Sequence, residues 1–81
     1  MPRPVKRSFT IGGHRTSISL EAPFWEALKE IATRTKTPIA RIVQDVDRRR
    51  NGEGLSSAVR IWILAYYRNR ETTDRTTPPE T

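Results

Sequence analysis

From residue 14 onward polar and apolar positions alternate. Thr16, Ile18 and Leu20 fall on one face of an extended segment, and Arg15, Ser17 and Ser19 fall on the other. The first face is suited to burial. The second is short, polar and rich in hydrogen-bonding groups, a face made to touch something. Upstream, "SFTI" at 8–11 alternates weakly and Gly12-Gly13 is a turn signal, so a short hairpin with the 14–20 strand is predicted. One long irregular lead-in is the alternative. "MPRPVKR" at 1–7, with two prolines and three basic residues, reads as a mobile basic arm.

After Leu20 the period changes from two to about 3.6. Phe24, Leu28, Ile31 and Thr35 make one helical stripe, with Trp25 and Ala32 beside it. Glu21 to Pro23 suits a helix start, because acidic residues favour the positive end of the dipole and proline is tolerated in the first turn. "TRTKTP" breaks the run. Thr37 is then a plausible N-cap with Pro38 at the first helical position. The second helix places Ile39, Ile42, Val43 and Val46 on one face, and "NGEG" at 51–54 ends it. A third helix is predicted over about 56–68. In "AVRIWILAYY" the one charged residue is Arg60, so this helix is apolar nearly all round and needs cover on more than one side. An 81-residue chain is short of material to surround it, which suggests a second copy. The run is too short for a membrane span. Residues 69–81 are polar and proline-containing and are expected to be disordered.

Composition narrows the function classes. A domain of 81 residues is marginal by itself, and no cysteine is present to add a disulfide or a thiolate metal site. The net charge of +6 is unevenly spread: residues 1–20 carry Arg3, Lys6, Arg7 and Arg15 and no acid. That pattern points to a polyanionic partner. The absence of a signal-peptide core suggests a cytoplasmic protein.

Catalytic readings fail on inventory, since one histidine and no cysteine leave no evident nucleophile–base pair. No cofactor, metal or small-molecule substrate is suggested. "DVDRRRNGE" at 45–53 departs from a calcium loop, with arginine where the fifth ligand and the sixth-position glycine belong. Gly12-Gly13 lacks the further glycine and following helix of a phosphate loop. Arg48, Arg49 and Arg50 suit a helix C-terminus, with a phosphate contact as the alternative. Trp25 and Trp62 fall in helical stripes, as core or interface residues, and Tyr66 and Tyr67 read similarly. His14 reads as a turn residue, with a phosphate contact as its other use.

A strand, a helix opened by proline, a tight break and a second amphipathic helix, on a small basic chain, resemble the ribbon-helix-helix DNA-binding family. "RTSISLEAPFWEALKEIATRTKTPIARIV" at 15–43 carries the resemblance. The longer stretch "KRSFTIGGHRTSISLEAPFWEALKEIA" looks like a bacterial subfamily with this lead-in and an extra C-terminal helix. The match covers roughly residues 5–68. The fold implied is mainly α with a short β-ribbon: an intertwined homodimer in which two chains pair their strands antiparallel and lay that ribbon in the major groove. A basic arm at 1–7, a ribbon-helix-helix domain at 8–68 and a tail at 69–81 are the expected divisions.

The resemblance implies base contacts from Arg15, Ser17 and Ser19, with Thr16, Ile18 and Leu20 facing inward. The phosphate clamp is the backbone around Thr37 to Ala40, using free amides at a helix N-terminus. Pro38 has no N–H, so Ile39 and Ala40 must supply it. Arg3, Lys6, Arg7 and His14 are the other expected phosphate contacts. The expected dimer core is Ile18, Leu20, Leu28, Ile31, Ile39, Val43, Val46 and Trp62. Arginine can fork onto guanine O6 and N7, whereas serine is permissive, so the code is sparse. Tandem dimers along an operator could add specificity.

The function expected is therefore sequence-specific binding of double-stranded DNA by a cytoplasmic, nucleoid-associated transcriptional regulator, most simply a repressor. A protein-interaction module, such as the antitoxin of a toxin–antitoxin pair, is the alternative. The polar tail after Arg70 lacks apolar anchors for a toxin. RNA binding would want exposed aromatics for stacking, and the aromatics here sit mostly in helical stripes.

Overall fold

The computed structural model describes residues 3–74, with side-chain surroundings as far as Arg70. The chain opens with an antiparallel hairpin of β1 (Pro4–Ile11) and β2 (His14–Glu21). Three helices follow: α1 (Ala22–Thr35), α2 (Ile39–Arg49) and α3 (Leu55–Asp74). The turn forms because both of its central residues are glycines at positive φ, +58° at Gly12 and +82° at Gly13. A two-residue turn with positive φ at both positions matches the twist of the strands it joins. Its tightness fixes the register, which pairs Ile11 with His14, Phe9 with Thr16, Arg7 with Ile18 and Val5 with Leu20.

The strand is longer than the sequence suggests. Residues 4–7, expected to be part of a mobile arm, belong to β1 and pair with residues 18–21 of β2. Two contacts fasten this end. The indole N–H of Trp25 donates to the Val5 carbonyl at 2.9 Å, and the Arg7 guanidinium lies 5.2 Å from the Trp25 ring centre. Phe9 stacks on the same indole at 6.0 Å.

Ile18 and Leu20 project from the inner face of β2 into the core. There they meet Trp25, Leu28 and Ile31 of α1, Ile42, Val43 and Val46 of α2, and Ala58, Val59 and Ile63 of α3. Ile18, Leu20, Leu28, Ile31, Val43 and Val59 are fully buried, each contributing about 1.5–3 kcal/mol relative to exposure. The buried stripe of α1 is therefore centred on Trp25, not on Phe24, which is half-buried, while Thr35 is exposed. Of the residues expected in a dimer core, Ile18, Leu20, Leu28, Ile31, Val43 and Val46 are already buried inside one chain, and no second chain is needed to cover them. Ile39 and Trp62 are half-buried.

Both helix boundaries around the break differ from expectation. Lys36 closes α1 in the left-handed region at φ 53°, and the Thr37 amide returns to the Ala32 carbonyl at 3.0 Å. Thr37 does not cap α2, because its hydroxyl donates to the Thr35 carbonyl at 3.0 Å. Pro38 takes the cap position with extended backbone, and helical residues begin at Ile39. The third helix starts one residue earlier than expected and runs on to Asp74, so residues 69–74 are helical; residues 75–81 of the expected tail lie outside the described residues. No helix of the described residues is long and apolar enough to cross a membrane.

Candidate nucleic-acid interface

The hairpin has two faces of opposite character. Cross-strand partners share a face. The inner one takes Phe9 and Ile11 from β1 with Thr16, Ile18 and Leu20 from β2, all buried or half-buried. The outer one takes Arg15, Ser17 and Ser19, the residues expected to contact bases, and the register sets Thr10, Ser8 and Lys6 directly beside them. Arg15, Ser17, Lys6, Ser8 and Thr10 are exposed. Arg7 pairs with Ile18, and its guanidinium packs on the Trp25 ring.

Ser19 is held back. It is half-buried, because the first turns of α3 close over the end of β2. Its amide donates to Ser56 Oγ at 3.0 Å, and its carbonyl accepts from Arg60 at 3.2 Å. Arg60 also forks onto the Glu21 carboxylate, Nε to Oε1 at 3.0 Å and a terminal nitrogen to Oε2 at 3.2 Å, while its guanidinium lies 5.7 Å from the Phe24 ring centre. A backbone hydrogen bond at Glu21 and then the Arg60 guanidinium hold this carboxyl below its ordinary range. The acid that stands at the helix start is therefore committed to α3, and its side chain caps nothing. The outer edge of β2 is consequently occupied at Ser19 and Glu21, leaving the turn-proximal part as the open end of the ribbon.

The other expected phosphate contacts are spread around the chain. Arg3 precedes β1 and is exposed, and His14 is exposed beside the turn. At the start of α2 the Pro38 carbonyl accepts the amides of Arg41 at 3.0 Å and Ile42 at 3.1 Å. The amides ahead of them, of Ile39 and Ala40, are ones a helix cannot satisfy from within. Ala40 is exposed and Ile39 half-buried. Two arginines of the run at the other end of α2 are tied locally: Arg48 bonds Asp45 at 2.5 Å, and Arg50 bonds Asp47 and the Glu53 carbonyl, each at 2.8 Å. These pairs also engage the two aspartates of the calcium-loop-like stretch.

Ser8 and Thr10 were not among the residues expected at the interface, and Lys6 was expected on a mobile arm, yet all three share the outer face. The signal was available. Counting outward from Gly12-Gly13 sets each of them opposite a residue of the polar β2 face.

The aromatic residues of α3 line the helix side, away from the ribbon. Trp62 stacks on Tyr66 at 5.9 Å, and Tyr66 meets Tyr67 edge-on at 5.4 Å. The Tyr67 hydroxyl donates to Glu30 at 2.9 Å, and burial, then the Glu30 carboxylate, raise its pKa. Ile61 and Leu64 stay 59% and 56% exposed on the same helix. Among the described residues no cluster of histidine, aspartate and glutamate is placed to hold a metal ion.

A family model described as a ribbon-helix-helix domain matches residues 4–67. Neither the curated proteins nor the solved structures contain a match to the chain.

Proposed function

The chain belongs to the ribbon-helix-helix domain family, a family of DNA-binding, regulatory domains, and on that premise we propose that it is a sequence-specific binder of double-stranded DNA acting as a transcriptional regulator, most simply a repressor. The observation that carries this reading is the outer face of β2. Arg15 and Ser17 stand exposed on a rigid ribbon whose opposite face is anchored in the core by Ile18 and Leu20. A two-stranded ribbon fits the major groove, and Arg15 is the one residue of the β2 face able to fork onto guanine. Ser17 adds a permissive contact, and Ser19 a weaker one at the closed end.

Phosphates are met by Arg3, Lys6 and His14 and by the Ile39 and Ala40 amides, with Thr37 beside them. Arg7 fastens the ribbon to Trp25. The protein acts in the cytoplasm, on the nucleoid, as a homodimer. The half-exposed apolar side of α3, with Ile61, Leu64 and Trp62, supports a second copy as its cover, and further dimers can line up along an operator.

The test is a fluorescence titration on a selected duplex and on a random one across a salt series. Arg15→Ala should cost about 1–3 kcal/mol per half-site on the selected duplex and much less on the random one. Replacing Arg3 and Lys6 should weaken both alike and flatten the salt dependence by up to about 0.9 log units for each phosphate left without its cation. Equal weakening of both duplexes by Arg15→Ala would mean that β2 does not read bases.

A further inference from the structure

We propose that β1 is the rim of the recognition surface. Ser8 and Thr10 join Lys6 in binding the phosphodiester backbone at the wall of the groove, and so hold in register the β2 residues that read bases inside it. This inference rests on the DNA-binding reading above, with the inserted ribbon made by β2 of one chain and β2 of a second. It gives a role to a strand that stays outside that ribbon.

The two edges of β2 decide which strand goes in. β1 pairs along one of them, from Pro4–Glu21 to Ile11–His14. On the other, the Ser19 amide and carbonyl turn to Ser56 and Arg60. In an antiparallel strand every second residue directs its N–H and C=O to the same edge. The backbone groups of Ser17 and Arg15 therefore lie along this second edge too, clear of the contact that α3 makes at Ser19. An unpaired edge is a template for another strand, and a second β2 brings the same polar outer face and apolar inner face. Pairing there leaves one β1 strand on each flank.

Width then separates the roles. Neighbouring strands lie about 4.8 Å apart, so the two flanking strands of such a sheet stand about 14 Å apart, against a major groove about 12 Å wide. The inner pair fits between the walls, and the flanking pair meets them.

The side chains of β1 suit that position. Lys6, Ser8 and Thr10 are exposed on the outer face, directly beside Ser19, Ser17 and Arg15. One is a cation and two carry hydroxyls, all groups that bond phosphate oxygens, and residues 1–20 hold no acid to repel them. The strand is also fastened: Trp25 bonds the Val5 carbonyl, Phe9 stacks on the indole, and Arg7 covers it. A fastened strand fixes the distance from the wall to Arg15 and Ser17, whereas a loose arm would supply charge without register.

The experiment is a base-substitution profile taken at several salt concentrations. A preferred duplex is selected from a random-sequence library with the full chain, and each of its base pairs is then changed in turn. Affinities for it and for a random duplex are measured by fluorescence anisotropy for the parent, Lys6→Gln, the double variant Ser8→Ala with Thr10→Val, and Arg15→Ala. The double variant should weaken both duplexes about fivefold or more, with the base profile and the salt dependence unchanged, because neutral hydroxyls displace no counterion. Lys6→Gln should weaken both and flatten the salt dependence by up to about 0.9 log units. Thermal midpoints should not move, because all three side chains are exposed. If the double variant relaxes selectivity at a base pair, β1 reads bases and the rim is refuted. If it binds both duplexes like the parent, β1 does not touch DNA and the rim is refuted, while a profile relaxed by Arg15→Ala keeps the β2 reading. If Arg15→Ala leaves the profile unchanged, the β2 reading fails, and the rim with it.

Discussion

Ile18 decides which way the ribbon faces. It has no exposed surface, and its neighbours Ser17 and Arg15 on the far side have plenty. Ile18→Asp places a carboxylate in a core without a buried polar partner, so a loss of at least about 3 kcal/mol is expected, read as a collapse of the urea midpoint. A stable Ile18→Asp protein would show the two faces to be reversed. Glu21 makes a finer claim. Its pKa is lowered in the folded chain, first by a backbone hydrogen bond and then by Arg60, so its contribution is present above the ordinary carboxylate range and lost as pH falls through the folded value. Stability measured at about pH 6 and again at about pH 3 should therefore converge between the parent and Glu21→Gln at the acid end. If the gap between them is unchanged by acid, the Arg60–Glu21 pair contributes nothing to the clamp.

Strand β2 and the first two helices were legible because their periods are clean, two for residues 14–20 and about 3.6 afterwards, and α3 was legible as an apolar run with one charge. The polar and buried faces of β2, and the buried Ile42, Val43 and Val46 of α2, lie where the alternation and the helical stripe put them. β1 was legible only in part. Pro4 and the basic residues mask its alternation, and Arg7 occupies an inner-face position that a local pattern reserves for an apolar side chain. What makes Arg7 acceptable there is the Trp25 ring, and that neighbour comes from another element. The start of α2 was misplaced for a related reason. Thr37 has the right chemistry for a cap, but its hydroxyl finds the Thr35 carbonyl, and Pro38 is already locked near the φ that the cap position adopts, −61°. The turn gives an element-level test. No atom lies within 4 Å of a Cβ added at Gly12 or Gly13, so substitution there costs only backbone strain. Gly13→Val should destabilise the chain by about 1–2 kcal/mol and Gly12→Asn by less, since asparagine enters the left-handed region more readily. Equal thermal midpoints for the two variants would rule out the tight turn.

One chain buries a complete small core, and its described residues include no buried polar group. The inner face of β2 and the buried stripe of α1 are covered within one chain. That leaves α3, where Ile61 and Leu64 remain open and where Ile61 and Trp62 line a shallow groove with Val46, Ala58 and Ala65 on one hand and Arg49, Arg50 and Glu53 on the other. A homodimer formed there predicts a thermal midpoint that rises with protein concentration, and an Ile61→Lys variant that loses this dependence without unfolding. Sedimentation over about two decades of concentration gives the contrary result its clearest form, a single monomeric species throughout.

The indole of Trp25 carries a further consequence, for observation. The chain has two tryptophans, one 3% exposed and wedged under Arg7 against β1, the other half-exposed on α3. With Trp62→Phe, the remaining emission comes from a ring whose N–H is tied to Val5, so its red shift times the peeling of β1 away from the helices. The ribbon's outer rows hold no aromatic residue, and bound bases have nothing there to stack on or quench. A change in Trp25 emission on adding a duplex therefore reports a movement of the hairpin, without any dye attached to the surface under study.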